Sequence, residues 1–322
     1  MYLHVIHDGY SFYLIDQSGE LRWYRDSAGD GANSWQVNSG KQIGTGWNNV
    51  WKMFAGSDFG EFYVVDRNGN LRWYQDLLRD GSNNPGGNSG WDHASGKIVG
   101  TGWDGVPHIF PGPNGVIYVV NYAGELLWYQ RWKEPRLVGS TTVGGDPYSL
   151  WANRGVGQRI GVGWLEGRTI VTSKFAAPPQ STNSYVIYIV RDDGGLYWYQ
   201  DTKADGTSRP DGYGWAENSG RQVGRGWKAP LLLAGSGGIL YLGHVDGTLH
   251  FYRDLLRDGT SDGGGYGWAT NSGAQIGTEW VQFDPGAGPS PPEPGDGDGG
   301  GGNVDTPNPV GNSQDDMTDT FP

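Results

Sequence analysis

Short apolar runs, separated by clusters of Gly, Asn and Asp, succeed one another along most of the chain and fall into recurring groups of four. In the second group, Trp51-Lys52-Met53-Phe54-Ala55 predicts a first strand and Glu61-Phe62-Tyr63-Val64-Val65-Asp66 a second. Arg67-Asn68-Gly69-Asn70 predicts a tight hairpin between the second and third strands, because Asn-Gly tolerates positive φ. Leu71 to Gln75 predicts the third strand, and Lys97 to Trp103 the fourth. The same hairpin recurs as Gln17-Ser18-Gly19-Glu20, Tyr122-Ala123-Gly124-Glu125, Asp192-Asp193-Gly194-Gly195 and Val245-Asp246-Gly247-Thr248.

Two phrases mark the period. Leu-x-Trp-Tyr stands at Leu21-Arg22-Trp23-Tyr24, Leu71-Arg72-Trp73-Tyr74, Leu126-Leu127-Trp128-Tyr129 and Leu196-Tyr197-Trp198-Tyr199, and as Leu249-His250-Phe251-Tyr252. Gly-x-Gly-Trp closes each unit at Trp47, Trp103, Trp164 and Trp227, with a degenerate Gly277-Thr278-Glu279-Trp280; these tryptophans lie 56, 61, 63 and 53 residues apart. Five ordered copies of that length predict a repeat architecture. Successive side chains of a strand point to opposite faces, so the adjacent Trp and Tyr lie on opposite sides of each sheet. A sandwich leaves one face wet, whereas radially stacked sheets cover both. The expected fold is therefore all-β, a five-bladed β-propeller of four-stranded antiparallel blades. The blades fall near 1–47, 48–103, 104–164, 165–227 and 228–283, with insertions at Arg131–Tyr148 and Ala176–Ser184.

Composition sharpens this picture. Sixteen Trp, eighteen Tyr and 58 Gly suit aromatic-rich sheets joined by tight turns. Cysteine is absent, which removes disulfides, thiolate metal sites and cysteine nucleophiles. No run of 18 apolar residues predicts a membrane span, and Met1-Tyr2-Leu3-His4-Val5-Ile6 reads as a strand rather than a secretion signal. Residues 284–322, almost all Gly, Pro and Asp in their first half, predict a disordered tail. That stretch holds eight acidic residues and no Lys or Arg, so of the net charge of −12 only −4 belongs to the repeat body. The body has no basic stripe, and nucleic acid is not an expected partner.

The long loop between third and fourth strands carries the candidate chemistry. Its phrase Trp-x-x-Asn-Ser-Gly stands at Trp35/Asn38/Ser39, Trp215/Asn218/Ser219 and Trp268/Asn271/Ser272. The second copy keeps Trp91 but has Ala94 for Asn, and the third reads Trp151-Ala152-Asn153-Arg154-Gly155. Pyranose recognition needs an aromatic plate against the ring's apolar face and a few planar polar groups for its hydroxyls. These residues supply both; equally, the Trp fills the space between blades and Asn-Ser-Gly makes a turn. Just upstream, Tyr-x-Asp-x-x-x-Asp-Gly recurs at Asp26/Asp30, Asp76/Asp80, Asp201/Asp205 and Asp254/Asp258, but not in the third unit, where Arg131-Trp132-Lys133-Glu134 replaces it. Two carboxylates fall short of the six to eight oxygens a Ca²⁺ ion takes, so no metal is expected. Capping of local amides is the leading reading for these Asp residues, with sugar-hydroxyl contact by Asp30, Asp80, Asp205 and Asp258 the second.

The Gly-x-Gly-Trp tryptophans read as packing wedges. The six histidines match no zinc spacing, and Glu134, Glu166 and Glu279, candidates among the acids outside the phrase, sit in no catalytic motif, so no enzyme and no cofactor is expected.

The ordered series Trp-x(7)-Ile/Val-Gly-x-Gly-Trp, then an apolar strand, then Leu-x-Trp-Tyr, resembles the tachylectin family of five-bladed propeller lectins over residues 1 to about 283, closest to its bacterial branch. The resemblance implies a multivalent, non-enzymatic lectin for N-acetylglucosamine- or N-acetylgalactosamine-type sugars on cell-surface glycans, held in equivalent pockets between adjacent blades. Carried over, those pockets fall at Trp35, Trp91, Trp151, Trp215 and Trp268, and the family's ligands imply an extracellular or cell-surface setting. The spacing from Trp151 to Ile160 is nine rather than eight and blade three lacks the Asp-Gly phrase, so three good sites, a weaker one in blade two and the poorest in blade three are expected. The rival expectation is a protein-interaction scaffold, and a propeller glycosidase ranks below it.

Overall fold

The computed structural model describes residues 2–85, 89–132, 137–138, 141–142, 150–174 and 185–280. The tail expected after residue 283 and the insertion at Ala176–Ser184 lie outside these residues. Five antiparallel sheets follow one another along the chain. Blade one is Tyr2–His7, Phe12–Asp16, Leu21–Tyr24 and Lys41–Gly44. Blade two is Val50–Ala55, Glu61–Asp66, Leu71–Gln75 and Ile98–Gly100. Blade three is His108–Pro111, Val116–Val120, Leu126–Trp132 and Gln158–Gly161, with Leu150–Trp151 pairing to the end of its third strand. Blade four is Gly167–Lys174, Tyr185–Arg191, Leu196–Tyr199 and Arg221–Gly224; blade five is Leu231–Ala234, Ile239–Gly243, Leu249–Arg253 and Ala274–Gly277. Each sheet runs first to fourth strand in order, and the first strands of neighbouring blades meet around a central axis. The protein is a five-bladed β-propeller.

The fourth strand of blade two is shorter than the pattern predicts, Ile98–Gly100 rather than Lys97 to Trp103. The reason is local. Gly102 takes φ 73°, which turns the chain out of the ladder and brings the Trp103 ring back over the strand end. The first glycine of the phrase makes that return possible: a Cβ on Gly44, Gly100, Gly161, Gly224 or Gly277 would stand 2.2–2.6 Å from the indole nitrogen of its own closing Trp. The second glycine supplies the left-handed turn, with φ 80°, 73°, 79° and 79° at Gly46, Gly102, Gly163 and Gly226. In the fifth copy Glu279 is forced to φ 64°. Glu279→Gly is therefore expected to raise stability by about 0.5–1 kcal/mol, net of the added freedom of the unfolded chain; a lowered midpoint in thermal denaturation would refute the strain.

Every third strand enters its pairing with the fourth through a bulge at the Leu of Leu-x-Trp-Tyr, in all five blades. The Trp of that phrase then faces the following blade and is buried, while the Tyr faces the preceding one. The core is thus a set of five seams, each filled from both sides. Seam 5/1 is built like the other open seams, and among the described residues no strand is exchanged to close the ring: Trp35 Nε1 donates to the Ile276 carbonyl at 3.0 Å and the Tyr241 hydroxyl to Asp26 at 3.2 Å. No helix is long and apolar enough to cross a membrane among the described residues.

Candidate functional site

At each seam three aromatic rings converge: the loop Trp and third-strand Tyr of one blade, and the closing Trp of the blade before it. Trp35 stacks on Trp280 at 5.0 Å, with Tyr24 5.2 Å from Trp280. Trp91 lies 6.4 Å and Tyr74 4.6 Å from Trp47. Trp215 and Tyr199 lie 5.5 and 5.1 Å from Trp164; Trp268 and Tyr252 lie 5.5 and 4.8 Å from Trp227. In these four seams the loop Trp and the Tyr are both half-buried, so ring surface reaches solvent.

Seam 2/3 is different. Trp151 and Tyr129 close on Trp103 at 5.4 and 5.3 Å, but Trp103 is 0%, Tyr129 1% and Trp151 9% exposed. The extra residue between Trp151 and Ile160 is taken up by successive left-handed residues, Asn153 at φ 51° and Arg154 at φ 55°. That turn presses Gly157 onto the tyrosine: a Cβ there would stand 2.5 Å from Tyr129 Oη, against 3.6 Å for Gly40 and Tyr24 Oη, and 3.7 Å for Gly220 and Tyr199 Oη. The Tyr129 hydroxyl and the Trp103 indole N–H are buried without a hydrogen-bond partner among the described residues. This seam is sealed.

The polar groups of the Trp-x-x-Asn-Ser-Gly phrase turn inward. The indole N–H of Trp35, Trp151, Trp215 and Trp268 each donates to a carbonyl on the fourth strand of the preceding blade, at Ile276, Val99, Ile160 and Val223. Ser39, Ser95, Ser219 and Ser272 each accept the N–H that follows the third strand's Tyr, tying the loop to its own sheet. The asparagines latch forward. Asn38 donates to the Asp80 carbonyl at 2.6 Å, Asn218 to Asp258 at 2.8 Å, and Asn271 to Asp30 across the ring closure. Asn153 stands apart, exposed in its left-handed turn, and its side chain makes no hydrogen bond among the described residues. The phrase therefore offers a ligand ring faces, the Asn Oδ1 atoms and the second N–H of each asparagine amide, while four of its indole N–H groups are used by the fold.

The Asp-Gly phrase divides in the same way. The first aspartate is buried at the seam. Asp76 accepts from the Tyr13 hydroxyl of blade one at 3.0 Å and from the amides of Leu78 and Arg79; Asp201 and Asp254 take Tyr118 and Tyr188 at 3.0 and 2.9 Å. Burial, then the neighbouring carboxylate, pushes these tyrosines' pKa well above the ordinary value, so they remain donors. The second aspartate is exposed and caps a turn. Asp80, Asp205 and Asp258 accept from the hydroxyl and amide of Ser82, Thr207 and Thr260, and the hydroxyl bond holds each carboxyl below the usual range. Asp30 accepts the Ala32 amide at 2.9 Å. The following glycine lets the loop lie on the preceding blade, since a Cβ on Gly81, Gly206 or Gly259 would meet the ring of Trp23, Trp128 or Trp198 at 2.6–2.7 Å.

No group of three or more His, Asp or Glu is placed to hold a metal ion among the described residues. Glu166 is exposed and pairs with Arg191 at 3.5 Å, Glu279 sits in its strained turn, and Glu134 lies outside the described residues. The tyrosine wall of each seam escaped the sequence reading of the site, although Leu-x-Trp-Tyr had been singled out. What the phrase could not tell was that its Tyr and the next blade's Trp share one cluster.

A profile of the Tachylectin family matches residues 2–166 and again residues 77–290. No curated protein matches the chain. Among solved structures, yeast RCC1 (Prp20) bound to Kap60 is 11% identical with a TM-score of 0.36, over 84% of this chain and 60% of that one. Human WBSCR16 is 14% identical with a TM-score of 0.31, over 73% and 56%. The chain thus spans less than two thirds of either. A variant of the lectin of Aleuria aurantia, in complex with alpha-methyl-L-fucoside, is 14% identical with a TM-score of 0.39, over 86% and 95%.

Proposed function

The chain belongs to the Tachylectin family, and from that premise we propose that it is a non-enzymatic, multivalent lectin which holds terminal N-acetylhexosamine-type sugars in the seams between blades. The observation that carries the reading is the pair of half-buried rings, loop tryptophan and third-strand tyrosine, packed on the closing tryptophan at four of the five seams. An aromatic surface held in place by its own indole bond loses no freedom when a pyranose ring stacks on it. Asn38, Asn218 and Asn271 present Oδ1, and the carboxyl groups of Asp30, Asp80, Asp205 and Asp258 stand on the neighbouring turns, both suited to accept sugar hydroxyls. Trp91 stands in seam 1/2, which keeps Asn38 latched on Asp80, while Ala94 packs in the sealed seam. Seam 3/4 has no latching asparagine because Asn153 stands apart, which makes the seam of Trp215 the weakest of the open four. Trp151 belongs to the sealed seam and carries no site.

A glycan array tests the reading. Binding is expected on one class of terminal N-acetylhexosamine, to rise by about 10²–10⁴ in apparent affinity as glycans are clustered, and to persist in a calcium chelator. Titration with the free monosaccharide is expected to saturate four sites per chain. A blank array with folded protein would remove the lectin reading. Alanine at Trp35, Trp215 or Trp268 is a poor probe, because the same rings hold the seams together and such variants lose stability with binding.

A further inference from the structure

Two loops hold a tyrosine out in solvent at a place where the others carry Asn33 and Ser89. Tyr213 and Tyr266 lie two residues before Trp215 and Trp268 and are 53% and 65% exposed. The loops that carry them are stiff. Each Tyr is bracketed by left-handed glycines, Gly212 and Gly214 at φ 100° and 82°, and Gly265 and Gly267 at φ 106° and 81°. Its amide donates to Asp211 or Asp262 Oδ1 at 3.1 Å, and its carbonyl accepts from the Arg209 or Asp262 amide. The neck is tied by Thr202 to Gly214 and Leu255 to Gly267, both at 2.8 Å. Below it, Ser208 and Ser261 donate to the buried Asp201 and Asp254 at 2.6 Å. The Tyr266 loop also touches its seam, for Trp268 Nε1 is 3.1 Å from the Asp262 carbonyl.

A large aromatic ring kept in water by a rigid scaffold adds little to folding, yet it suits stacking on a sugar ring without an ordering cost. Hydroxyl-binding groups stand beside both. The Arg209 and Lys203 cations lie 5.3 and 5.9 Å from the Tyr213 ring. The Arg225 side chain lies along the Tyr266 loop, where a Cβ on Gly263 would stand 3.0 Å from its Cγ. Charges of both signs mix here, Lys203 and Arg209 with Asp205, Asp211 and Glu217, which fits a neutral ring rather than an acidic one.

We infer that Tyr213 and Tyr266 each form an outer subsite that stacks the second, uncharged pyranose of a glycan whose terminal sugar sits in seam 3/4 or 4/5. This rests on the seam reading above. It divides the open seams into two that read one sugar and two that read an oligosaccharide.

Calorimetric titration with N-acetylglucosamine and with its β-1,4-linked trimer tests it. At two sites per chain the trimer is expected to bind about 3- to 10-fold more tightly than the monosaccharide. The Tyr213→Ala/Tyr266→Ala double variant is expected to lose that gain and keep monosaccharide affinity, while Tyr213→Phe/Tyr266→Phe keeps both. Circular dichroism checks that the variants fold. A gain that survives in the alanine variant, or a wild type that binds monosaccharide and trimer alike, overturns the outer subsite and leaves the seam sites standing. Failure of the wild type to bind either probe overturns the N-acetylglucosamine reading of the seams and the subsite with it.

Discussion

At pH 5 the protein is expected to have lost about 3–6 kcal/mol of the stability it has at pH 7.5, because three histidines must stay neutral to fit the propeller axis. His4, His7 and His108 stand on the first strands of blades one and three, and burial pushes each down to about 4. His4 and His108 bond backbone of the next blade at Val50 and Gly167, and His7 bonds Ala234 of the preceding one; Lys52 and Lys174 add positive charge nearby. In the unfolded chain these rings titrate near 6.5, so between pH 6.5 and 4 the unfolded state binds more protons. Stability therefore falls as pH drops through that window, by roughly 2 kcal/mol per histidine at pH 5. His4, His7 and His108 are half-buried rather than fully buried, and solvent screening lowers the total below the simple threefold value.

Other groups do not mimic this. Asp16, Asp66, Asp80, Asp205, Asp246 and Asp258 are held below 3.8, so the stability they contribute is present above that pH and is lost mostly as pH falls through and below it. Asp26 and Asp76 are raised by burial, and their protonation favours the folded state as pH falls. Urea denaturation of the wild type and a His4→Gln/His7→Gln/His108→Gln variant across pH 4.5–7.5 decides the matter. Glutamine keeps a donor without the titration, so the variant's curve should be nearly flat over that range. An equally steep curve would place the acid sensitivity elsewhere.

Asp76→Ala is expected to cost about 3–5 kcal/mol, several times the median for a point substitution. Asp76 is fully buried, and its loss strands the buried Tyr13 hydroxyl, worth about 1–3 kcal/mol when left unmade, together with the part-buried amides of Leu78 and Arg79. It also detaches the loop that carries Asp80 and Gly81, which blade one grips through Asn38 and Trp23. Asp76→Asn should cost far less, since its amide oxygen still accepts the two backbone amides. Thermal unfolding of the two variants distinguishes a seam held by this carboxylate from one held by aromatic packing alone, in which case alanine and asparagine would melt together.

One blade shows why the consensus is no guide to stability here. Arg131 occupies the position of Asp26, Asp76, Asp201 and Asp254, and it is buried. It donates to Tyr63 Oη at 3.4 Å, which in turn donates to Glu61 Oε1 at 3.2 Å, and Trp73 Nε1 reaches the same carboxylate at 2.8 Å. In this seam the carboxylate stands on the earlier blade and a cation takes the aspartate's place on the later one. Restoring an aspartate at 131 would set two carboxylates around one tyrosine.

The amino-acid order alone determined the number of blades, their four strands and hairpins, and the glycines that the turns require, because these follow from contacts within one unit and from a period repeated five times. It also pointed to the loop tryptophans and to the turn-capping role of the aspartates. The seams were decided only by the tertiary structure, because every seam partner lies a blade away. Asn38 reaches Asp80, and the absence of an asparagine at Ala94 matches the absence of an Asp-Gly loop in blade three, a pairing no local pattern displays. Trp151 carries the same residue type as Trp35, yet one added residue before Ile160 buries it and closes its seam. Exposure, and with it the capacity to meet a sugar, depends on how two blades pack, and a repeated phrase is silent about its neighbour.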